Sequence, residues 1–157
     1  MAYTGQVVEN PVTGQRIRFV ALAQDSGGAE LVLESAFWGH GPEPPAHFHP
    51  EQDEVIEVLQ GELQVRLEGR LQTLHQGQTI SIGRGPVHSM WNVAAQPVAV
   101  RWVVRPALTT EAFLEQLFAA SQNERGMPAP QQVGQLLQQF SREFRLAPQP
   151  AVVEPAQ

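Results

Sequence analysis

A chain of 157 residues is long enough to bury a core of its own, and with Cys 0 it has neither disulfides nor thiol chemistry. Lys+Arg 10 against Asp+Glu 16 gives a formal net charge of -6, which excludes a general affinity for nucleic acid or anionic membranes; every basic residue is an arginine, so a lysine Schiff base is excluded too. No apolar run approaches the roughly 18 residues of a membrane span, and MAYTGQVVENPVTG lacks the basic and apolar regions of a signal peptide, so the expectation is a cytoplasmic protein with a small-molecule partner.

In chain order, residues 6–38 read as short extended segments. Arg16 to Phe19 alternates polar and apolar residues, and Leu31 to Trp38 is a mostly apolar run suited to a buried strand. Turn residues at Asn10 to Gly14 and Asp25 to Gly28 separate them. Gly39 to Pro45 is a loop rich in glycine and proline that feeds Ala46-His47-Phe48-His49. In Asp53 to Gln60, parity places Glu54, Ile56 and Val58 on one face and Val55, Glu57 and Leu59 on the other. Gly61 then turns the chain into Glu62 to Leu67, and the two segments are predicted to form a hairpin. Further strands are predicted at Leu71 to Leu74, Thr79 to Ile82, His88 to Val93 and Pro97 to Val104. Many short strands at even spacing predict an all-β sandwich or closed barrel.

Pro106 marks a boundary, because proline cannot donate within a sheet. Beyond it Thr109-Thr110-Glu111 offers a hydroxyl cap and an acidic first turn, and Phe113, Leu114, Leu117 and Phe118 recur at helical spacing. After Gly126 to Pro130 a second stripe runs through Val133, Leu136, Leu137, Phe140 and Phe144, with Arg142 and Arg145 suited to a helix C-terminus. The organisation is therefore a barrel over 1–106, a helical hairpin packed on it over 107–147, and a disordered proline-rich tail over 148–157. Core packing is the plain reading of the aromatic stripes.

Two residues apart on a strand, His47 and His49 direct both imidazoles to one side while Phe48 points away. Glu54 can bring a carboxylate to the same point, and imidazole with carboxylate suits a borderline divalent ion. Glu51, Asp53 and Glu57 are rival carboxylates that strand parity disfavours. His75 reads as an exposed turn residue. His40 reads as a solvated loop residue, with substrate contact at the barrel mouth as the alternative.

The run Gly41, His47, His49, Glu54, Gly61 resembles the first motif of the cupin superfamily, G(X)5HXH(X)3,4E(X)6G, at every fixed position. Gly77, Gly85, His88 and Asn92 resemble the second, G(X)5PXG(X)2H(X)3N, with Gly83 where that motif has proline. The resemblance implies a double-stranded β-helix, the cupin jelly-roll barrel, holding one divalent transition metal ion (Mn, Fe, Ni, Cu or Zn) on His47, His49, Glu54 and His88. His88 enters through the resemblance alone. Also implied is a homodimer, for which the apolar run near Leu31 offers material.

A centre of this kind leaves positions open for a small organic substrate. The expectation is a metal-dependent enzyme of oxidoreductase or dioxygenase type, with Glu54 as ligand or proton acceptor. The alternatives are a non-catalytic small-molecule-binding cupin or a cupin isomerase, decarboxylase or lyase. Ile56, Val58, Met90 and Trp102 are expected to point inward, as barrel core or as an apolar pocket wall.

Overall fold

The computed structural model describes residues 1–148, so the tail expected from 148 onward lies, Pro148 aside, outside the described residues. Eleven strands and two helices follow one another in chain order: β1 Val7–Glu9, β2 Arg16–Ala21, β3 Leu31–Phe37, β4 His47–Phe48, β5 Asp53–Gln60, β6 Glu62–Leu67, β7 Arg70–His75, β8 Thr79–Ile82, β9 His88–Trp91, β10 Val98–Arg105, α1 Thr110–Ala120, α2 Pro130–Gln139 and β11 Arg145–Leu146. A short 3-10 turn, Ala23–Ser26, sits between β2 and β3.

The strands form two antiparallel sheets, one ordered β1-β2-β3-β10-β5-β8 and the other β11-β4-β9-β6-β7. Strand parity sets their faces. Glu54, Ile56 and Val58 of β5 turn inward, as do Leu63 and Val65 of β6, while the residues between them are more exposed. Ile56, Val58, Leu63, Val65, Leu74, Ile82, Val98 and Val100 close the core between the sheets.

The expected hairpin of β5 with β6 is not formed. β5 pairs with β10 and β8, whereas β6 pairs with β7 and β9, so Gly61 carries the chain from one sheet across to the other. Its φ of 82° and the Pro97 carbonyl beside it shape this corner. A short glycine turn between two alternating strands looks the same in sequence whether the partners pair or part. The true hairpin is β6 with β7, turning at Glu68 and Gly69. β3, the apolar run at Leu31, lies between β2 and β10 with both edges paired, so it provides no free edge for a second copy.

The six-stranded sheet is wider than its partner, and the helices cover the remainder. Ile17, Phe19, Leu31 and Leu33 pack against Phe113, Leu114, Phe118, Leu136 and Phe140, with Trp102 touching both this cluster and the core between the sheets. At roughly 25 cal/mol per Å² of buried apolar surface, such aromatic burial is what holds the hairpin down. Two expectations fail at its ends. Thr109 stands at the start of α1 but its hydroxyl makes no cap bond there; it donates instead to the Glu143 carboxylate at 2.7 Å. The second stripe does not stay helical to Phe144. α2 ends at Gln139, a turn follows, and Arg145–Leu146 pair with His47–Phe48 as β11. Phe144 keeps its apolar role by covering the barrel mouth, and Arg142 pairs with Glu51 at 3.1 Å in place of a helix terminus.

Candidate metal centre

Two short strands bring the histidines together. His47 lies opposite His88 in the β4–β9 pairing, and cross-strand partners share a face. His49, just beyond β4, follows at the same parity. His47, His49 and His88 each offer a ring nitrogen within 4.8 Å of the others. Glu54, at the start of β5 on the facing sheet, brings Oε2 to 3.2 Å from Nε2 of His49 and 3.2 Å from Nε2 of His88. Glu54 thus reaches two of the three histidines.

Backbone carbonyls fix the imidazoles. His88 Nδ1 lies 3.0 Å from the Pro86 carbonyl oxygen and His49 Nδ1 lies 2.7 Å from that of Glu143. A carbonyl only accepts, so each Nδ1 carries a proton, and in the neutral ring each Nε2 presents a lone pair inward. His49 Nε2, His88 Nε2 and Glu54 Oε2 are all buried without a hydrogen-bond partner, their mutual approach being badly aligned for hydrogen bonding. Three converging buried atoms in that state are costly unless something satisfies them. Ligands about 2.0–2.2 Å from one ion and at right angles to each other stand roughly 3 Å apart, and the 3.2 Å separations fit that pattern.

Burial and neighbouring charge split the titration of the cluster. Burial, reinforced by the neighbouring His88 and His49, pushes His47 down to about 3, so it stays neutral. For His49 burial works in the same direction, but Glu54 and the Glu143 carbonyl outweigh it and raise the pKa above the ordinary histidine value. Burial would raise Glu54, yet His49 and His88 hold its carboxyl well below the usual carboxylate range. Glu54 is therefore an anion at the floor of the site, 5% exposed.

The rival carboxylates face elsewhere. Glu51 is bound by Arg142, Asp53 lies 3.6 Å from Arg84, and Glu57 lies 4.0 Å from Arg101. His40 and His75 are both exposed; His75, expected in a turn, ends β7 and approaches Glu62 at 3.4 Å. Asn92 of the second motif acts on the backbone: its side chain bonds Gln96 and Ala94, and its carbonyl accepts from Gly41.

Beside the cluster opens a cavity of about 480 Å³, walled by Phe37, Met90, Trp102, Phe113, Phe118 and Phe144 among others. Of the four residues expected inward, Met90 and Trp102 line it, while Ile56 and Val58 belong to the core. Two contributors escaped the sequence reading. Glu143 acts through its backbone carbonyl, which no side-chain pattern reports. Phe144, taken as part of a helical stripe, stacks on His47 with ring centroids 4.7 Å apart and planes at 21°.

Two antiparallel sheets closed around a buried histidine cluster define a small β-barrel protein with a candidate metal centre. Residues 35–104 match the Cupin_2 family model, described as a cupin domain. The barrel over these residues is thus similar to a cupin domain. Over 101 residues it is 34% identical to an oxidoreductase of Arthrobotrys oligospora; the match covers 56% of this chain and 40% of that protein, so the chain spans less than half the length of this curated relative. A predicted oxalate decarboxylase from Thermotoga maritima superimposes with a TM-score of 0.57 at 17% identity, covering 66% of this chain and 92% of that one. The polyketide cyclase RemF from Streptomyces resistomycificus gives 0.53 at 24% identity, covering 69% and 84%. At these identities the likeness is one of fold.

Proposed function

We propose that the protein is a metal-dependent cupin enzyme of oxidoreductase or dioxygenase type acting on a small organic molecule. In this reading His47, His49, Glu54 and His88 hold one divalent transition ion, Mn, Fe, Ni, Cu or Zn. The observation that carries the proposal is the convergence of His49 Nε2, His88 Nε2 and Glu54 Oε2, buried and unpartnered, on one point beside His47. The relative named as an oxidoreductase supports the reaction class.

When bound, such an ion supplies Lewis acidity and open positions for substrate or dioxygen. The chain's own part is to orient and exclude. The carbonyls of Glu143 and Pro86 hold two imidazoles in the tautomer that presents Nε2. Glu54, kept ionised by its histidine neighbours, serves as ligand or accepts a proton at Oε2. Phe144 and the aromatic wall keep water from the cluster.

Elemental analysis of protein purified without added metal, followed by oxygen-uptake and turnover assays over a substrate panel, tests the proposal. Stoichiometric metal with substrate-dependent oxygen uptake is the expected result. Metal with turnover but no oxygen uptake would move the reaction to an isomerase, decarboxylase or lyase, and binding without turnover would leave a binding cupin. A homodimer belongs to the same proposal and is checked by light scattering.

A further inference from the structure

Trp38 follows β3 and is 57% exposed, so most of a large aromatic ring stands in solvent. One face of the indole is nevertheless occupied. A Cβ built on Gly14 would fall against Cδ2 and Cε2, the two atoms of the ring fusion, and a ring brings those atoms nearest only when it lies face-on over the glycine. Gly14 is buried beneath it, at a φ of 72° that suits a residue without a side chain. The exposure therefore belongs to the opposite face.

That free face borders the cavity. Trp38 lines it together with Pro42, Pro44, Pro45 and Leu146, all of them exposed, so these residues form the rim where the space beside the histidines opens to solvent. No rim residue is charged. From the rim the cavity continues past His47 and His49 to run beneath α1, where Phe113 and Leu117 wall it. The segment after Trp38 is tethered along its length. Gly39 lies so close to the carbonyl oxygens of Ala94 and Ala95 that no side chain fits there, and the Gly41 N–H donates to the Asn92 carbonyl at 2.8 Å. The Glu43 carboxylate accepts from Arg66 at 2.7 Å and from the Ser89 hydroxyl at 2.8 Å. The indole is thus a platform held in place before any ligand arrives.

We propose that the cavity takes an elongated, neutral, planar aromatic ligand, its leading rings beneath α1 and its trailing ring stacked on the free face of Trp38. Trp38 is then a specificity-determining residue, selecting flat over saturated rings at the mouth. About 480 Å³ is an ordinary volume for such a small-molecule site. The inference deepens the metal-enzyme reading by naming the substrate class; chemistry at the histidines rests on that reading, stacking at the mouth does not.

Two probes that share a body and differ in the flatness of one ring, 6-phenyl-2-naphthol and 6-cyclohexyl-2-naphthol, are titrated into the full-length protein as purified and again after chelation. The phenyl compound is expected to bind about 2- to 10-fold more tightly, the factor that one stacked aromatic pair supplies. Trp38→Leu should bring that ratio close to one, while binding of the cyclohexyl compound persists and shows the cavity intact. Indole proton resonances of Trp38, identified by their loss in Trp38→Leu, should shift upfield when the phenyl compound binds. A ratio unchanged in Trp38→Leu, or Trp38 resonances that do not move, overturns the proposal. Leu117→Trp fills the space under α1 and should weaken both probes; unchanged affinities would put the body of the ligand elsewhere and overturn it too. Failure of the metal reading would show in elemental analysis and leave the ratio in chelated protein untouched.

Discussion

The Nδ1 atom of His49 lies 2.7 Å from the carbonyl oxygen of Glu143, 94 residues further along the chain. One hydrogen bond therefore ties the barrel's metal-binding motif to the segment that returns from the helical hairpin. The same residue anchors that segment, because the Glu143 carboxylate accepts from both the backbone N–H and the hydroxyl of Thr109 at the start of α1. Arg145–Leu146 then pair with the strand carrying His47. The extension so braces two of the three histidines.

His49→Ala deletes one inward lone pair and the bond to Glu143 together. Metal affinity should fall by more than the roughly 10- to 100-fold that loss of an outer hydrogen bond alone costs. The barrel should still fold, since its core between the sheets does not include His49. Metal content by mass spectrometry and far-ultraviolet circular dichroism check the two halves. Retained stoichiometric metal would sink the ligand assignment.

The pH response follows from opposite shifts within the cluster. With no metal, His49 has a raised pKa, so its pairing with Glu54 stabilises fully below the ordinary histidine value and is lost as pH rises through the raised one. Glu54 has a depressed pKa, so its contribution is present above the ordinary carboxylate value and lost as pH falls toward the depressed one. His47 acts the other way: pushed down to about 3, it is neutral in the folded chain, so stability is lost as pH falls below the ordinary histidine value. Metal-free protein should therefore be most stable at about pH 6.5, falling off on either side. A bound ion needs His49 neutral, so metal affinity should fall as pH drops through the raised His49 pKa, by about tenfold per unit for one displaced proton. His47, pushed down to about 3, adds no proton competition above that. Thermal melts and metal titrations from pH 4.5 to 8 measure both; a metal affinity flat across that range would contradict the histidine-rich centre.

What could be read from the residues alone was local. The alternation of Glu54, Ile56 and Val58, the two-residue spacing of His47 and His49, and the preference for Glu54 over Glu51, Asp53 and Glu57 all rest on strand parity, which neighbouring residues determine. The failures are non-local. Which strand β5 pairs with depends on β8 and β10 far along the chain, and nothing near Gly61 reports it. Phe144 continued the helical spacing of Val133 to Phe140, but pairing of the next residues with β4 ended the helix earlier. Glu143 contributes a carbonyl, which every residue possesses.

Phe144→Ala removes the ring stacked on His47 and set edgewise to His49 at 6.1 Å. Because Phe144 is half-buried, the stability cost should fall below the roughly 3–5 kcal/mol typical of a buried phenylalanine. The larger effect should be kinetic, since water gains access to the cluster. Metal dissociation into excess chelator should quicken relative to wild type, while Phe144→Leu recovers much of the slow rate. Equal dissociation rates in wild type and Phe144→Ala would show that the ring does not cover the site.

Gly61 and Gly69 share a φ of 82° but differ in surroundings, which makes them a matched pair. A side chain at either position pays for the left-handed backbone, about 1–2 kcal/mol. At Gly69, in the β6–β7 hairpin, an added Cβ meets nothing within 4 Å. At Gly61 it would stand 2.7 Å from the Pro97 carbonyl oxygen and 3.2 Å from the Val98 Cα. Those atoms cannot easily withdraw, because Val98 is fully buried and pairs with Phe37 of β3. Gly61→Ala should therefore destabilise the barrel more than Gly69→Ala, by an additional 1–3 kcal/mol or so if the clash is relieved by backbone shifts of the overpacked kind. Denaturant midpoints of the two variants give the difference directly. Equal losses would mean that the crossing between the sheets is looser than the contact with Pro97 implies.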